Sequence, residues 1–260
     1  MMPLAQLAAV IIARDEARHI EAALVSLAGL AAETLVLLDD RTTDATATLA
    51  AAHGARVVHA AWRNFSAQRN LALALCSHEW VLFVDADERL TAELAAELRS
   101  ILADPGQAAG FWIPRYNQFF GRVVRGGGWY PDPQLRLLRR TAARYDEQRL
   151  VHEVAIVDGP TATLQQHLLH INIEHYGEFW RKQRAYAFSE AEILYRSGRR
   201  TRLRNLAGAP LREFYRRFIT LGGWRDGALG IVLCGTLALF ELMKFVYLYT
   251  LARRAGPDRR

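Results

Sequence analysis

Only two cysteines occur among the 260 residues, Cys76 and Cys234. They lie far apart and cannot make a disulfide framework, so a reducing compartment is expected. No positive residue precedes the apolar run Leu7 to Ile12, and Arg14, Asp15 and Glu16 follow it directly. That excludes a signal-peptide pattern, and the run reads as a first strand. No Gly-rich loop follows it: Ala13-Arg14-Asp15 stands there. A nucleotidyltransferase would want a phosphate-cradling loop at that point. Long uncharged runs are also missing. Gly227 to Phe240 carries no charge, and Glu241 and Lys244 then interrupt an apolar run that reaches Leu251. An uncharged stretch of that length falls short of the ~20 residues of a bilayer span. It fits an interfacial, re-entrant or protein-buried helix. No internal repeat is evident.

Apolar residues are plentiful, at 51%, enough for a sizeable core. The net charge of +6 and a pI near 9.6 point to phosphate-bearing partners: nucleotides, anionic lipids or nucleic acid. A length of 260 residues suits one large α/β domain, or one with an appendage.

The stretch Trp80 to Arg89 organises the rest. Trp80 to Val84 reads as a short buried strand, and Asp85 and Asp87 follow at once. Two neighbouring carboxylates repel unless a cation sits between them, and a hard divalent ion held there would also bind a diphosphate. In an open α/β sheet, ligands bind at the carboxyl ends of strands. The plain alternative is that these acids cap the helix opening at Thr91-Ala92-Glu93.

Leu7 to Ala13 and Leu35 to Leu38 are continuous apolar runs, fit for central parallel strands, and Arg56 to His59 is a shorter third. Ile20, Leu24 and Leu27 mark a helix face between the first two. Thr42 or Thr43 caps a helix that runs to about His53, where Gly54 stops it, and Ser66 opens another over Ala67 to Cys76. The order β-α-β-α-β-α-β predicts a parallel sheet with right-handed crossovers. After a helix over Thr91 to Leu102, five short strand-like pieces predict an antiparallel α+β half. They are Gly110 to Arg115, Phe119 to Val124, Leu135 to Arg139, Val154 to Val157 and Leu168 to Ile173. Gly126 to Gly128 read as a flexible loop before Trp129-Tyr130-Pro131-Asp132. Helices are expected over Tyr176 to Arg196 and Leu211 to Leu221, joined by a basic connector. The basic aromatic helix and Arg253-Arg254 favour an anionic membrane surface. The alternative is a hairpin packed on the domain or on a partner subunit.

Several segments together resemble family 2 glycosyltransferases of the GT-A fold. They are Arg14-Asp15-Glu16, Leu37 to Thr46, Ala67-Gln68-Arg69-Asn70-Leu71-Ala72 and Trp80 to Glu88. Gly128 to Leu137 and Val151-His152-Glu153 add to the likeness, and the subgroup most resembled is the bacterial lipopolysaccharide core β-glucosyltransferases. Asp15 stands where the family usually has Asn, and Arg41 where it usually has Gly. Both lie near the expected nucleotide pocket.

The resemblance implies a catalytic GT-A domain over residues 1–175. Residues 1–90 would be its nucleotide-sugar half and 91–175 its acceptor half, with a membrane-associated helical region over 176–260. It implies inverting transfer of a hexose, glucose first, from a nucleotide sugar such as a UDP-sugar to a glycolipid such as lipopolysaccharide core. The enzyme would be cytoplasmic and peripheral on the inner face of the cytoplasmic membrane. The departing diphosphate gathers charge, so Mn²⁺ or Mg²⁺ is expected, held by Asp87, with Asp85 on metal or ribose and His152 completing the site or supporting it. Arg14, Glu16, Asp39, Arg69, Asp85 and Arg136 are the nucleotide-sugar candidates. The attacking hydroxyl needs a carboxylate base, and Glu153 is the first choice, with Asp132 second. Each has a plainer reading: Asp39 as a turn acid, Arg69 as a helix cation, Glu153 as a strand-edge charge. His170 and His175 read as pocket or core residues. A polyprenyl-phosphate acceptor is the second enzyme reading. A nucleic-acid-binding module rests on charge alone, and acids at strand ends would repel its ligand, so no nucleic acid partner is expected.

Overall fold

The computed structural model describes residues 2–148, 154–201 and 203–254. Apolar runs and amphipathic helices alternate through the first ninety residues. They fold as strands β1 (Leu4–Ala13), β2 (Ala31–Asp39), β3 (Arg56–Ala60) and β4 (Trp80–Phe83), with helices α1 (Ile20–Leu27), α2 (Thr46–Ala52) and α3 (Phe65–Leu75) between them. All three pairings are parallel: Val10 lies opposite Leu35 and Phe83, and Val36 opposite Val57. β1 therefore sits between β2 and β4. Both faces are covered, which is why these strands are apolar throughout. Leu7, Ile11 and Leu82 pack with Ile20, Leu24 and Leu27 of α1. On the other face, Val10, Leu37, Val81 and Phe83 pack with Ala72 and Leu73 of α3.

The next stretch runs β5 (Glu88–Leu90), α4 (Ala92–Ala103), β6 (Gly110–Phe119), β7 (Arg122–Val124) and β8 (Pro133–Arg139). It continues with β9 (Ala143–Arg144), β10 (Ile156–Val157), β11 (Thr161–Thr163) and β12 (Leu168–Ile173). Thr91, not Asp85 or Asp87, caps α4: its side chain accepts from the Leu94 N–H. β8 is antiparallel to β4 and to β6, with Leu138 opposite Val81 and Leu137 opposite Phe111. β12 is antiparallel to β5 and sets His170 opposite Glu88. The parallel half is as the sequence predicts. In the second half β8 and β12 pair antiparallel as expected, but β5 and β11 lie outside the expected strand pieces, and β11 pairs with β6 in parallel, Ala162 opposite Phe111. β6 runs on past its expected end at Arg115 to Phe119, and Pro114 within it stands opposite Pro133.

The chain folds as two compact units. One holds the residues up to Arg115 with Asp132–Ile171, the other Tyr116–Pro131 with the residues from Asn172 on. The first carries the parallel strands with β5, β8 and β11. In the second, β7 pairs with the far end of β6, Asn117 opposite Val124. Its helices are α5 (Tyr176–Arg196), α6 (Leu203–Tyr215) and α7 (Gly227–Arg254), with a π-turn over Arg216–Thr220. Its core is aromatic: Phe119 meets Trp129 at 5.3 Å and Phe179 at 5.9 Å, beside Val124, Ile173 and Leu233.

The triglycine loop is pinned rather than flexible. The Asp226 carboxylate accepts from the Arg125 and Gly126 N–H groups at 2.8 and 2.9 Å. The Gly127 N–H donates to the Leu221 carbonyl at 2.9 Å, and Arg217 Nη1 donates to the Gly127 carbonyl at 2.8 Å. A Cβ on Gly126 would lie 2.1 Å from the Gly222 carbonyl oxygen, so close approach requires glycine there.

Candidate active site

The site lies in the first unit, where β2, β1 and β4 end side by side. Their last residues and the turns after them bring together Asp39, Arg14 to Glu16, and Asp85 to Asp87. The turns after β1 and β2 are tied to each other. Asp15 adopts a left-handed φ of 52°, which Asn and Asp tolerate best, and its Oδ1 accepts from the Thr43 N–H at 2.8 Å. The Thr46 hydroxyl accepts from the Glu16 N–H at 2.8 Å. Asp44 accepts from the Ala17 and Thr46 N–H groups at 2.9 and 3.0 Å. The start of α2 is thus served by Asp44, not by the hydroxyl of Thr42 or Thr43.

A cavity of about 380 Å³ opens over these ends, lined by Ile12, Ala13, Arg14, Glu16, Asp39, Arg41, Trp62 and Phe65. Asp39 is buried, and Arg41 grips it through Nε at 3.0 Å and Nη2 at 2.6 Å. Those bonds pull its carboxyl down to about 2 against the cost of burial. Glu16 shows the opposite shift. Burial, then the charges of Asp87, Asp44 and Asp85, push it up to about 7, with Arg89 opposing.

The chain turns tightly from Asp85 to Glu88: the Glu88 N–H donates to the Asp85 carbonyl, and Glu88 Oε2 accepts from the Asp85 N–H, both at 2.9 Å. Glu88 is fully buried, and its Oε1 accepts from Arg115 at 2.8 Å and Arg136 at 2.9 Å. A buried carboxylate is tolerable only with such partners. Arg136, nearly buried, also holds both oxygens of Asp85, through Nη1 at 3.0 Å and through Nη2. Burial would raise the Asp85 carboxyl, but the Arg136 charge and hydrogen bonds, with Arg69 and Arg115 behind, hold it well below the usual range. Asp87 stays open, its Oδ2 3.2 Å from His170 Nε2.

Beside this turn lies a second cavity, of about 310 Å³, whose lining includes Arg69, Asp85, Arg115, Gln134, Arg136 and Val154. Arg115 and Arg136 are already paired there with Asp85, Glu88 and Asp132, so an anion entering beside Arg69 would share these arginines with those carboxylates. Arg69 lies over two aromatic rings, with its guanidinium 5.9 Å from the centre of Phe83 and 5.4 Å from that of Tyr145.

The structure thus gathers Arg14, Glu16 and Asp39 at one cavity, and Arg69, Asp85 and Arg136 at the other. Asp132 is engaged on both oxygens: Oδ2 accepts from Arg115 at 2.7 and 3.0 Å, and Oδ1 from Gln134 at 2.8 Å. Glu153 and His152 lie outside the described residues. Sequence reasoning gave no role to Arg115 or Glu88 and left His170 as a pocket or core residue. Glu88 is adjacent to the acid pair, and that adjacency was the available signal. Arg115 and His170 arrive through antiparallel pairing, which leaves no local pattern.

A divalent cation is tested by the donor set. Among the described residues no three His, Cys, Asp or Glu side chains are gathered to hold a metal ion. Asp85 is committed to Arg136, which leaves Asp87 with His170 beside it. One carboxylate, with His170 beside it as a hydrogen-bond partner, fits a cation that draws most of its shell from bound phosphate and water, as Mg²⁺ does.

Residues 8–166 match the profile of Glycosyl transferase family 2. The lipopolysaccharide core biosynthesis glycosyltransferase LpsC of Rhizobium meliloti (strain 1021) is 29% identical over 265 residues, covering 99% of this chain and 97% of that protein. An uncharacterized glycosyltransferase of Rickettsia bellii is 37% identical over 102 residues, 39% of this chain and 34% of its own. Among solved structures, TarS 1-349 of S. aureus aligns with a TM-score of 0.49 at 14% identity, covering 98% of this chain and 93% of that one. Glucosyl-3-phosphoglycerate synthase of Mycobacterium tuberculosis, in complex with Mn²⁺, UDP and glucosyl-3-phosphoglycerate, aligns at 0.47 and 20%, covering 75% and 80%.

Proposed function

The chain is a glycosyltransferase of family 2, and on that premise we propose that it transfers a hexose, glucose first, from a UDP-sugar to a glycolipid acceptor of the lipopolysaccharide core type. The transfer inverts the anomeric centre and takes place at the inner face of the cytoplasmic membrane. The acceptor rests on the full-length likeness to LpsC. The observation that carries the donor side is the pair of cavities at adjoining strand ends, one with Asp39 and aromatic walls, the other with three arginines. A nucleoside fits the first and a diphosphate the second.

In this reading Asp39 and Arg41 meet the base or ribose, and Arg14 and Glu16 border it. Arg69 and Arg136 receive phosphate charge as the sugar bond breaks, which stabilises the leaving group more than the bound substrate. Glu88 and Arg115 hold Arg136 and Asp85 at that position. Asp87, with His170 alongside, would hold a divalent cation, which when bound would supply further positive charge for the leaving diphosphate. Glu153 is the proposed base, since its chain neighbour Val154 lines the arginine cavity. Asp132 would first have to release Arg115 and Gln134.

One observation favours a second acceptor, a polyprenyl phosphate: the helical stretch Gly223–Arg253 is long and apolar enough to cross a membrane. Supplying each lipid acceptor in turn separates the two.

The test is a thermal-shift screen with UDP, GDP, CMP, dTDP and their sugars, with and without Mn²⁺ or Mg²⁺. A ligand at 100 times its Kd stabilises a folded protein by about 2.7 kcal/mol, so a metal-dependent rise with a uridine nucleotide is expected, and its loss in Asp87→Ala. No rise with any nucleotide overturns the donor reading. Glu153→Gln should cut kcat by roughly 10²–10⁴ while leaving that shift intact. Unchanged turnover moves the base to Asp132.

A further inference from the structure

The positive charge of this chain is concentrated in one stretch. Between Arg196 and Asp226 there are nine arginines and two acids, a net +7, while all 260 residues sum to +6. Everything outside those residues is therefore net −1. The same stretch leaves large apolar side chains in the open: Leu211 is 69% exposed, Tyr215 62% and Trp224 56%. Leu211 and Tyr215 are four residues apart on α6, hence on one side of it.

A second exposed row follows on α7. Val232, Leu239 and Val246 recur every seven residues, so they line one side of the helix, and Ile231 adjoins them; all four are exposed. An apolar groove of about 310 Å³ lies along the helix between Phe188, Leu242, Met243, Val246, Tyr247 and Thr250. The other side of α7 is used by the protein. Leu233, Phe240 and Leu248 are buried, and the Phe240 ring lies 4.7 Å from that of Trp180. Thr236 hydrogen-bonds the Tyr176 hydroxyl at 2.9 Å. Lys244 is buried against Glu241 at 2.6 Å and Glu190 at 3.3 Å. A helix crossing a bilayer would carry that charged group to membrane depth, where it is expensive. A helix lying in the interface keeps it inside the protein and gives only the apolar row to lipid.

The basic stretch also ends in the clamp on the triglycine loop. Arg217 and Asp226, which bracket Leu221 and Trp224, are the side chains that hold residues 125–127. Arg217 further lies over the Trp129 ring, 5.4 Å from its centre. Whatever fixes the segment 217–226 therefore fixes that loop.

We propose that the exposed rows of α6 and α7, with Trp224 between them, dock on an anionic lipid bilayer, and that the Asp226 and Arg217 clamp ties this docking to the loop at residues 125–127. The arginines meet lipid phosphates and the apolar row enters the headgroup boundary. The inference deepens the glycolipid-acceptor reading and rests on it for its purpose, but its test involves no sugar transfer. The two can fail separately: nucleotide shifts report on one, lipid binding on the other.

The experiment is sedimentation of the full chain with phosphatidylcholine vesicles, with and without phosphatidylglycerol. Binding only to the anionic vesicles is expected, falling steeply with salt. Arg199→Glu with Arg212→Glu should weaken it by roughly tenfold or more, and Ile231→Asp should do the same. Trp224→Ala, a milder change, guards against misfolding in the others and should weaken binding less. Equal binding by all variants overturns the surface. Retention in the pellet after alkaline carbonate means that α7 spans, and also overturns it. So does a dimer in solution that Ile231→Asp dissolves, because the row then faces a second copy. For the clamp, hydrogen exchange at the amides of 125–127 should slow several-fold on adding anionic vesicles. Asp226→Asn should keep vesicle binding and lose that slowing. Exchange unchanged by vesicles in the unaltered chain overturns the tie.

Discussion

A half-buried carboxylate that faces three other acids holds its proton tightly, and Glu16 is so placed, with its pKa pushed up to about 7 from 4.5. Between those values the folded chain binds a proton that the unfolded chain has released, so this group's contribution to stability is lost as pH rises from about 4.5 to 7. Glu16→Gln should therefore raise Tm at pH 8 and leave it unchanged near pH 4, measured by thermal melts at both. Equal Tm values at pH 8 would mean the acids do not act on Glu16. Glu88 is set differently, fully buried with two arginines on one oxygen. Removing one member of a buried ion cluster strands the others, at about 3–5 kcal/mol, so Glu88→Ala should lower the urea midpoint sharply. Cys76 is buried, which pushes its thiol up to about 11, and the folded protein should resist alkylation at Cys76 at pH 8 while the urea-unfolded chain reacts.

Elements differ in how far their sequences disclose them. The triglycine loop reads as flexible from composition, yet Gly126 has no room for a methyl group. Gly126→Ala should destabilise by about 1–3 kcal/mol, as overpacking does, and a urea titration would record it. Parallel strands β1, β2 and β4 were legible because burial on both faces demands unbroken apolar runs. β5 was not: it has three residues, and its partner lies some eighty residues away on β12. That same pairing delivers His170 to Asp87, so the site could be read only as far as the strand ends. Asp39, Asp85 and Asp87 stand there and announce themselves. Arg115 comes from the middle of β6, a strand the sequence would have ended at that residue. The helix before the π-turn also begins earlier than expected, at Leu203 rather than Leu211. Gly208 and Pro210 lie inside it, and packing against α7 within the second unit carries the helix through them.

The whole molecule is unevenly charged, near neutral over most of its length and strongly cationic from Arg196 to Asp226. A uniform net charge would make it merely soluble; a local one makes it adhesive. At low ionic strength a chain with nine arginines in so short a stretch should pick up RNA and DNA fragments from any cell extract, without sequence preference, through counterion release. A wash at about 1 M salt, where the Debye length is about 3 Å, should strip them, and the 260/280 nm absorbance ratio should fall to that of protein alone. Retention through that wash would revive nucleic acid as a ligand. Otherwise a purified sample with a high ratio reports how the preparation was made, and a nucleotide-binding curve measured on it would start from sites already partly filled.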